Sequence, residues 1–400
     1  MRPFFKDPDF EFETLIALGG TAAGAADVGE VLATIDGIRS GDHVAWVREW
    51  SATGRRLRDE AEAAAGRGHA RGPALALLRA SQYLAMAQAH ADGTPDEGAF
   101  AALYEEHRAC WDRFCELWSP RIEPIAIPYE GITLDGWLFR AAADGAPRRT
   151  LIFNNGSDGP VTASWSQGVA EALARGWNAV TFDGPGQNST LVRRGVGFRP
   201  DWEHVIGPVV DHLATLPEVD DARLALLGVS QAGYWVPRAL AFCHGIAAGV
   251  ADPGVMDVST TLWGHLNHHM VAKLERGDRE GFNHDMAMGA RFSKALRFVM
   301  AFRFRPYALE TPYDVFTAVR EYALDEATVA AIRCPMLVTD PEDEQFWPGQ
   351  SRRLYDALRC PKDIIPFTRE EGASGHCEPV GLALRNQRVL DWLDERVPAG

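Results

Sequence analysis

Leu224-Ala-Leu-Leu-Gly-Val-Ser-Gln-Ala-Gly233 is the stretch from which the fold can be argued. An apolar run of strand length ends at Gly228, Ser230 follows two residues later, and Ala232 and Gly233 open a helical segment. A turn sharp enough to hold a serine hydroxyl above a sheet requires small residues on both sides of the serine. The stretch therefore predicts a nucleophile elbow with Ser230 as the nucleophile, although Ala232 stands where the usual pattern has its last glycine. An ordinary strand-to-helix turn with a surface serine is the alternative.

The rest of the chain indicates a large α/β protein in three parts. Residues 1–120 have apolar side chains at helical spacing and predict a helical N-terminal domain, with helices over 42–65, 73–91 and 95–118. Strands and helices alternate over 121–251 and again over 333–400, which predicts a mostly parallel sheet with helices on both faces. Residues 252–332 interrupt this alternation and predict a helical cap over the site. The predicted strands are 122–128, 132–141, 150–153, 178–182, 223–229, 246–250, 335–339 and 363–367, and the predicted core helices are 164–175, 202–216, 349–358 and 382–396.

The composition limits the compartments in which we expect this protein and the partners that we expect it to bind. The 400 residues are 46% apolar and carry a formal charge of −15, which argues against nucleic acid or an anionic membrane as a partner. The six cysteines form no Cys-x-x-Cys pair, and this usage favours a reducing compartment. Charged residues near the N-terminus replace the apolar core of a secretory signal, and no apolar run reaches the ~20 residues of a membrane span. We therefore expect a cytoplasmic protein.

A nucleophilic serine needs a base and an acid that orients the base. His376 is the candidate base, because it lies in a glycine-containing loop between the last predicted strand and the last predicted helix. The acid is expected after strand 335–339, in the chain order serine, acid, histidine. That turn offers several carboxylates, of which we favour Glu344; Asp340 is the main rival and Asp343 stays open.

An oxyanion formed at Ser230 needs two hydrogen-bond donors that are already in place. One is expected to be the backbone amide of Gln231, directly after the nucleophile. The second is expected from Ser157, in the loop Asn154-Asn-Gly-Ser-Asp-Gly-Pro160 that follows the third strand. Because Asn, Gly, Ser and Asp also form ordinary turns, a plain loop is the alternative.

Three histidines in the cap, His265, His268 and His269, raise the question of a metal site. No carboxylate pattern or strand scaffold surrounds them, so solvated or core histidines are the preferred interpretation. We predict neither a metal nor an organic cofactor.

Four motifs together resemble a known family. They are Asn155-Gly-Ser-Asp-Gly159, Phe182-Asp-Gly-Pro-Gly-Gln187, Gly228-Val-Ser-Gln-Ala-Gly233 and Gly375-His-Cys-Glu378, and they look like those of α/β-hydrolases of the 2,6-dihydroxypseudooxynicotine hydrolase group. That group includes fungal pigment hydrolases that shorten polyketide chains. The resemblance covers nearly the whole chain and implies an α/β-hydrolase fold, a Ser-acid-His triad and cleavage of a carbon–carbon bond next to a carbonyl. The family has Asp in a Gly-x-x-Asp turn ahead of a proline, whereas this chain has Glu344 in that frame.

The predicted activity is hydrolysis of a C–C bond in a β-diketone or an acylated aromatic, polyketide-like substrate. An esterase, thioesterase, acyltransferase or cyclase uses the same machinery and stays open, as does a non-catalytic scaffold on the same fold. The expected partner is a small apolar or aromatic molecule, and a homodimer is left open. The candidate substrate contacts are Asp158, Tyr83, Tyr234, Trp235 and Trp263.

Overall fold

A single β-sheet forms the centre of the fold. The computed structural model describes residues 3–399, within which eight strands form one sheet in the order β1-β2-β4-β3-β5-β6-β7-β8. The first two strands of that order are antiparallel to their neighbours and the remaining strands run parallel, which confirms the mostly parallel sheet. The strands are β1 (Glu123–Tyr129), β2 (Ile132–Phe139), β3 (Arg148–Asn154), β4 (Asn178–Phe182), β5 (Val219–Val229), β6 (Ala248–Asp252), β7 (Met336–Pro341) and β8 (Lys362–Phe367).

The central strands are apolar on both faces, so helices cover both sides of the sheet. In β3, Leu151 and Phe153 pack into the core on one face while Ile152 packs into the core on the other. In β5, Leu227 packs into the core on the first of these faces and Leu226 packs into the core on the other. This near-continuous apolar pattern is the physical reason that the alternation in the sequence predicts the sheet correctly.

Helices occupy the region before the sheet, as predicted, but they begin earlier than expected. Asp7 caps the first helix by accepting hydrogen bonds from the amides of Asp9 and Phe10, and Pro8 opens it. Two helices in this region were not predicted individually, the first and the second. The helices are α1 (Pro8–Gly19), α2 (Val28–Ile35), α3 (His43–Ala65), α4 (Arg71–Ala89) and α5 (Ala99–Leu117).

The helical region shares an apolar core with one face of the sheet. Trp111 of α5 meets Trp137 of β2 edge to face, with ring centroids 5.9 Å apart. Phe114 of α5 meets Trp165 in the same way at 5.2 Å. Residues 164–175 were predicted as one helix, but the structure has a π-helical turn, Trp165–Val169, between two short helices. The core helices before the cap are α6 (Val161–Ser164), α7 (Ala170–Ala174), α8 (Asn188–Val192), α9 (Glu203–Leu213) and α10 (Ala232–Leu240).

The predicted insertion is helical and has a small core of its own, formed around Phe282 and Phe316. Arg305 joins it to the helical N-terminal region through an ion pair with Asp92. No helix among residues 3–399 combines the length and the apolar character that crossing a bilayer requires. The insertion contains α11 (Ser259–Trp263), α12 (His268–Glu275), α13 (Arg279–Phe292), α14 (Lys294–Phe304), α15 (Pro312–Ala318) and α16 (Glu326–Ala330), and the core then continues with α17 (Gln350–Ala357) and α18 (Leu382–Arg396).

Candidate active site

Ser230 lies in a strained turn between β5 and α10. Its φ angle is +57°, a left-handed conformation that costs a non-glycine residue energy and is found at functional turns. A Cβ on Gly228 would lie 2.5 Å from the carbonyl oxygen of Ala232, and a Cβ on Gly233 would lie 1.8 Å from that of Pro253. The small residues on either side of Ser230 are therefore required by backbone packing, as the elbow interpretation expects.

The structure brings His376 between Ser230 and Glu344. The His376 Nε2 atom is 2.9 Å from the Ser230 Oγ atom, and the Nδ1 atom is 2.7 Å from Oε2 of Glu344. When Nδ1 carries the imidazole proton and donates a hydrogen bond to the carboxylate, Nε2 is free to accept the serine proton. The three side chains thus form one hydrogen-bonded chain with the polarity that base-assisted nucleophilic attack requires.

Glu344 is held by the backbone as well as by His376. Its side chain is only 5% exposed, and its Oε1 atom accepts hydrogen bonds from the amides of Phe346 (2.8 Å) and Trp347 (3.1 Å). Burial alone would raise the pKa of Glu344, but the charge and hydrogen bond of His376, together with the two amides, hold that pKa below its ordinary value. The carboxylate is therefore ionised at neutral pH.

The two rival carboxylates are engaged elsewhere. Asp340 forms an ion pair with Arg352 at 2.9 Å, and Asp343 forms one with Arg369 at the surface. Of the three acidic residues considered for this turn, Glu344 is the one that contacts His376.

The loop after β3 approaches Ser230 closely. A Cβ on Gly156 would lie 2.7 Å from the Cβ of Ser230, so only glycine fits there. Within residues 3–399 the backbone amides of Ser157 and Gln231 have no hydrogen-bond acceptor. The amide of Gly156, by contrast, donates a hydrogen bond to the side-chain oxygen of Asn155 at 2.9 Å. Gln187 holds this loop in place by donating to the carbonyls of Asn155 and Gly156, both at 2.7 Å. Two free amides beside Ser230 can receive an oxyanion.

A buried group of charges supports the loop that carries His376. Asp252, at the end of β6, accepts hydrogen bonds from Arg385 of α18, and both side chains are fully buried. Glu378, two residues after His376, is also fully buried, and burial together with the charge of Asp252 raises its pKa well above the ordinary value. A neutral Glu378 leaves Asp252 and Arg385 as a balanced pair. The carbonyl of Asp252 also accepts a hydrogen bond from the amide of Ser230 at 2.6 Å, so this buried group lies beside the elbow as well as beside the loop that carries His376.

Three of the predicted substrate contacts, Tyr83, Tyr234 and Trp235, are buried core residues, and a fourth, Trp263, is partly buried in the cap. Tyr83 is fully buried in the helical domain, where its hydroxyl donates to Glu30 (2.8 Å) and accepts from the amide of Asp27 (2.9 Å). Trp263 packs against the small core of the cap, partly buried, and donates its indole N–H to the carbonyl of Phe316 at 3.0 Å. Each of these two side chains packs against the apolar core of its own domain.

The two aromatic residues next to the elbow also point away from it. Trp235 stacks on Trp202 with ring centroids 4.1 Å apart, on the face of the sheet that α9 covers. Tyr234 is buried and donates its hydroxyl to the carbonyl of Pro200 at 2.9 Å. Because α10 must bury one whole face against the sheet, residues on that face are core although they follow Ser230 directly.

Other aromatic residues surround His376. The ring of Phe346 lies 4.7 Å from the imidazole, that of Trp347 lies 5.7 Å from it, and that of Phe12 lies 6.2 Å from it. Phe12 belongs to α1, a helix that was not predicted, although Asp7 followed by Pro8 is a recognisable helix start. The N-terminal region therefore contributes a side chain directly beside the candidate base.

Asp158, the remaining predicted contact, lies in the loop after β3, directly after Ser157, and is paired with a cap residue. Its Oδ2 atom is 2.8 Å from Nη1 of Arg303 in α14, and this ion pair links the loop to the cap. The guanidinium of Arg303 also lies over the ring of Phe346, 5.6 Å from its centroid. The ion pair therefore stands close to the aromatic residues that surround His376.

The cap histidines show no metal geometry. His269 lies 3.5 Å from Asp285, but within residues 3–399 no group of three or more His, Cys, Asp or Glu side chains is arranged to hold a metal ion. The six cysteines are free thiols in this structure.

Known proteins resemble this chain along almost its whole length, although no family model matches it. Hydrolase LUC6 of Fusarium sp is 29% identical over 418 residues, which cover 99% of this chain and 98% of that protein. The 20-hydroxy-prefusarin hydrolase FUS2 of Gibberella moniliformis is 27% identical over 98% of each chain. Among solved structures, the 2,6-dihydroxy-pseudo-oxynicotine hydrolase superposes with a TM-score of 0.75 and 17% identity over 95% of each chain. The resemblance expected from the motifs is confirmed, and the fold is that of the α/β-hydrolases.

Proposed function

From this fold and these relatives, we propose that the protein is a serine hydrolase that cleaves a bond next to a carbonyl group. Ser230 is the nucleophile, His376 the base and Glu344 the acid that orients it. The observation that carries the proposal is the continuous hydrogen-bonded chain from Ser230 through His376 to Glu344, which starts at a strained elbow. Names of relatives support an enzyme of the hydrolase class, and the geometry supports the roles of the residues.

The proposed reaction begins with attack of the Ser230 hydroxyl oxygen on the substrate carbonyl carbon. His376 takes the serine proton, and Glu344 stabilises the imidazolium that forms. The amides of Ser157 and Gln231 hold the oxyanion of the tetrahedral intermediate. The bond next to the carbonyl then breaks, its electron pair leaves with the departing fragment, and that fragment takes the proton from His376. Water, activated by His376, hydrolyses the acyl-enzyme and restores Ser230.

The proposed substrate is an aromatic or polyketide-like molecule with a β-diketone or acylated aromatic group. Aromatic side chains beside His376 favour an apolar substrate body. The relative from Gibberella moniliformis is named as a 20-hydroxy-prefusarin hydrolase, and this name supports a polyketide-like substrate. An enolate leaving group is stable enough to depart from such a substrate, which is why we propose C–C cleavage.

Two measurements test the proposal. A fluorophosphonate probe should label the protein, and mass spectrometry of the labelled peptide should place the probe on Ser230. Benzoylacetone should then be hydrolysed to a carboxylic acid and a ketone, whereas cleavage of p-nitrophenyl acetate alone would favour an esterase. Absence of probe on Ser230 in the folded protein would contradict the serine mechanism and favour the non-catalytic scaffold.

A further inference from the structure

Side chains of the hydrolase core brace both ends of the loop that follows β3. Near the start of the loop, the carbonyl of Gly156 accepts a hydrogen bond from the side chain of Gln187 at 2.7 Å. Near its end, the carbonyl of Gly159 accepts one from the side chain of Asn155 at 2.7 Å. All four residues belong to the core, so these hydrogen bonds hold both ends of the loop in place without any contribution from the cap.

The tip of this loop, Ser157 and Asp158, is held by the cap instead. Within residues 3–399 the tip makes one hydrogen-bonded contact beyond itself, the ion pair between Oδ2 of Asp158 and Nη1 of Arg303 at 2.8 Å. Inside the tip, the hydroxyl of Ser157 donates to Oδ1 of the same carboxylate at 3.2 Å. One side chain of α14 therefore anchors the residue whose amide is the proposed oxyanion donor.

Arg303 also contacts the opposite side of the candidate site. Its guanidinium group lies over the ring of Phe346, 5.6 Å from the ring centroid. The backbone amide of Phe346 donates to Glu344 at 2.8 Å, and its ring lies 4.7 Å from the imidazole of His376. From its position in the cap, Arg303 thus bridges the oxyanion loop and the turn that carries the acid.

We propose that Arg303 is a positioning residue for the backbone amide of Ser157, so that the oxyanion hole is complete only while the cap is docked. This inference rests on the proposed function. A donor stabilises an oxyanion strongly only when it is already in place before the charge develops. The second donor, the amide of Gln231, stands at the start of α10 in the core and does not depend on the cap. The cap therefore controls one of the two donors.

The exposure of the ion pair suits a contact that opens and closes. The side chains of Arg303 and Asp158 are 35% and 33% exposed. Charges at this exposure are screened by salt and attract each other only modestly. The pair can therefore separate when a substrate enters beneath the cap and form again once the substrate is bound.

The test measures hydrolysis of p-nitrophenyl acetate, because its ester carbonyl forms the same oxyanion whichever bond the natural substrate presents. Arg303→Met and Asp158→Ala should each lower kcat by about fivefold, the effect of losing one partly exposed ion pair, and should change KM by less than about twofold. The double variant should also lose about fivefold, because the second change has no contact left to remove.

Arg279→Met is the matched control for these variants. Arg279 also lies in the cap, but its ion pair with Asp314, at 2.6 Å, joins two cap helices and does not reach the oxyanion loop. This variant should retain the wild-type kcat. Circular dichroism should show the native fold in every variant, since each changed side chain is partly exposed to solvent.

An inhibitor pair separates positioning of the amide from a merely structural role. Trifluoroacetophenone adds to a catalytic serine and forms an oxyanion, whereas acetophenone binds without forming one. In Arg303→Met the inhibition constant of the trifluoromethyl ketone should rise by the same factor by which kcat falls, and that of acetophenone should not change. Raising NaCl from about 0.05 M to about 1 M should lower the wild-type kcat towards that of Arg303→Met and leave the variant unaffected, because only the wild type has this pair to screen.

The outcomes separate this inference from the function on which it rests. Wild-type kcat in both single variants, losses that multiply in the double variant, or an equal rise of both inhibition constants would overturn the role of Arg303. Each of these results leaves the serine mechanism intact when the fluorophosphonate probe labels Ser230. A folded wild type without that label would instead overturn the proposed function, and the role of Arg303 with it.

Discussion

Glu344→Gln tests the candidate triad at its most specific contact. The carbonyl oxygen of the introduced amide can keep the position of Oε1, where it still accepts from the amides of Phe346 and Trp347. The NH2 group of that amide then takes the place of Oε2, 2.7 Å from the Nδ1 atom of His376. A donor at that place forces Nδ1 to be the acceptor and moves the imidazole proton to Nε2. The base then faces Ser230 with a proton already attached.

The expected loss follows from that wrong tautomer. An equivalent Asp-to-Asn change in a serine protease triad lowers kcat by ~10⁴, which corresponds to ~5 kcal/mol of transition-state stabilisation. The fold should survive, because the amide has the volume of the carboxylate and keeps both backbone hydrogen bonds. The depressed pKa of Glu344 stabilises the native state above its ordinary value of 4.5, and this contribution is lost as the pH falls through the lower folded value. The wild type should therefore lose its stability advantage over the variant only in acid.

The assay is steady-state hydrolysis of p-nitrophenyl acetate at pH 7, together with the rate of fluorophosphonate labelling of Ser230. Asp340→Asn and Asp343→Asn are the matched controls, since both carboxylates form ion pairs near the surface and neither contacts His376. Both controls should retain wild-type kcat. A Glu344→Gln enzyme within about tenfold of the wild type would refute the reasoning, and so would the same ~10⁴ loss in Asp340→Asn.

Three further changes have defined outcomes. Ser230→Ala should lower kcat by at least ~10³ with an unchanged circular dichroism spectrum, and retained activity would contradict the proposed nucleophile. Gly19→Ala should lower the free energy of unfolding, measured by chemical denaturation, by ~1–3 kcal/mol and should reduce kcat, because the new Cβ would collide with the loop that carries His376. Gly207→Ala is the control and should be neutral or stabilising, since no atom lies within 4 Å of its Cβ. Equal effects of the two changes would argue against the packing of α1 on that loop. Arg385→Met should destabilise the protein by ~3–5 kcal/mol by leaving Asp252 buried without its partner, and an unchanged unfolding midpoint would show that the pair is dispensable.

The sheet and the elbow could be predicted because local rules determine them. Apolar runs of strand length identify each strand to within a few residues, except that β5 begins at Val219 rather than 223. Gly228 and Gly233 follow from the backbone geometry of one turn, so a short stretch of sequence contains all the information. His376 could be proposed from chain order alone, since the loop after the last strand lies at the same sheet edge as the elbow.

Helix α1 could not be predicted from the spacing of apolar residues. Its apolar residues do not form a clear single stripe, because it packs on the helical domain with one side and on the active-site region with another. The prediction that aromatic residues such as Tyr83 and Trp235 line the substrate pocket was wrong for a related reason. Spacing shows that Tyr83 and Trp235 are buried, but a buried face looks the same in sequence whether it meets a core or a substrate.

The sequence by itself determined which residues stand at the carboxyl edge of the sheet, because strand order along the chain and small residues at the turns are local properties. Only the tertiary structure decided which carboxylate reaches His376, which amides stay free, and which helix brings Phe12 to the site. The physical reason is that these properties depend on distances between segments far apart in the chain. In this protein the N-terminal helix, at Gly19, meets a loop near the other end of the chain, at Pro379, a contact that no local pattern encodes.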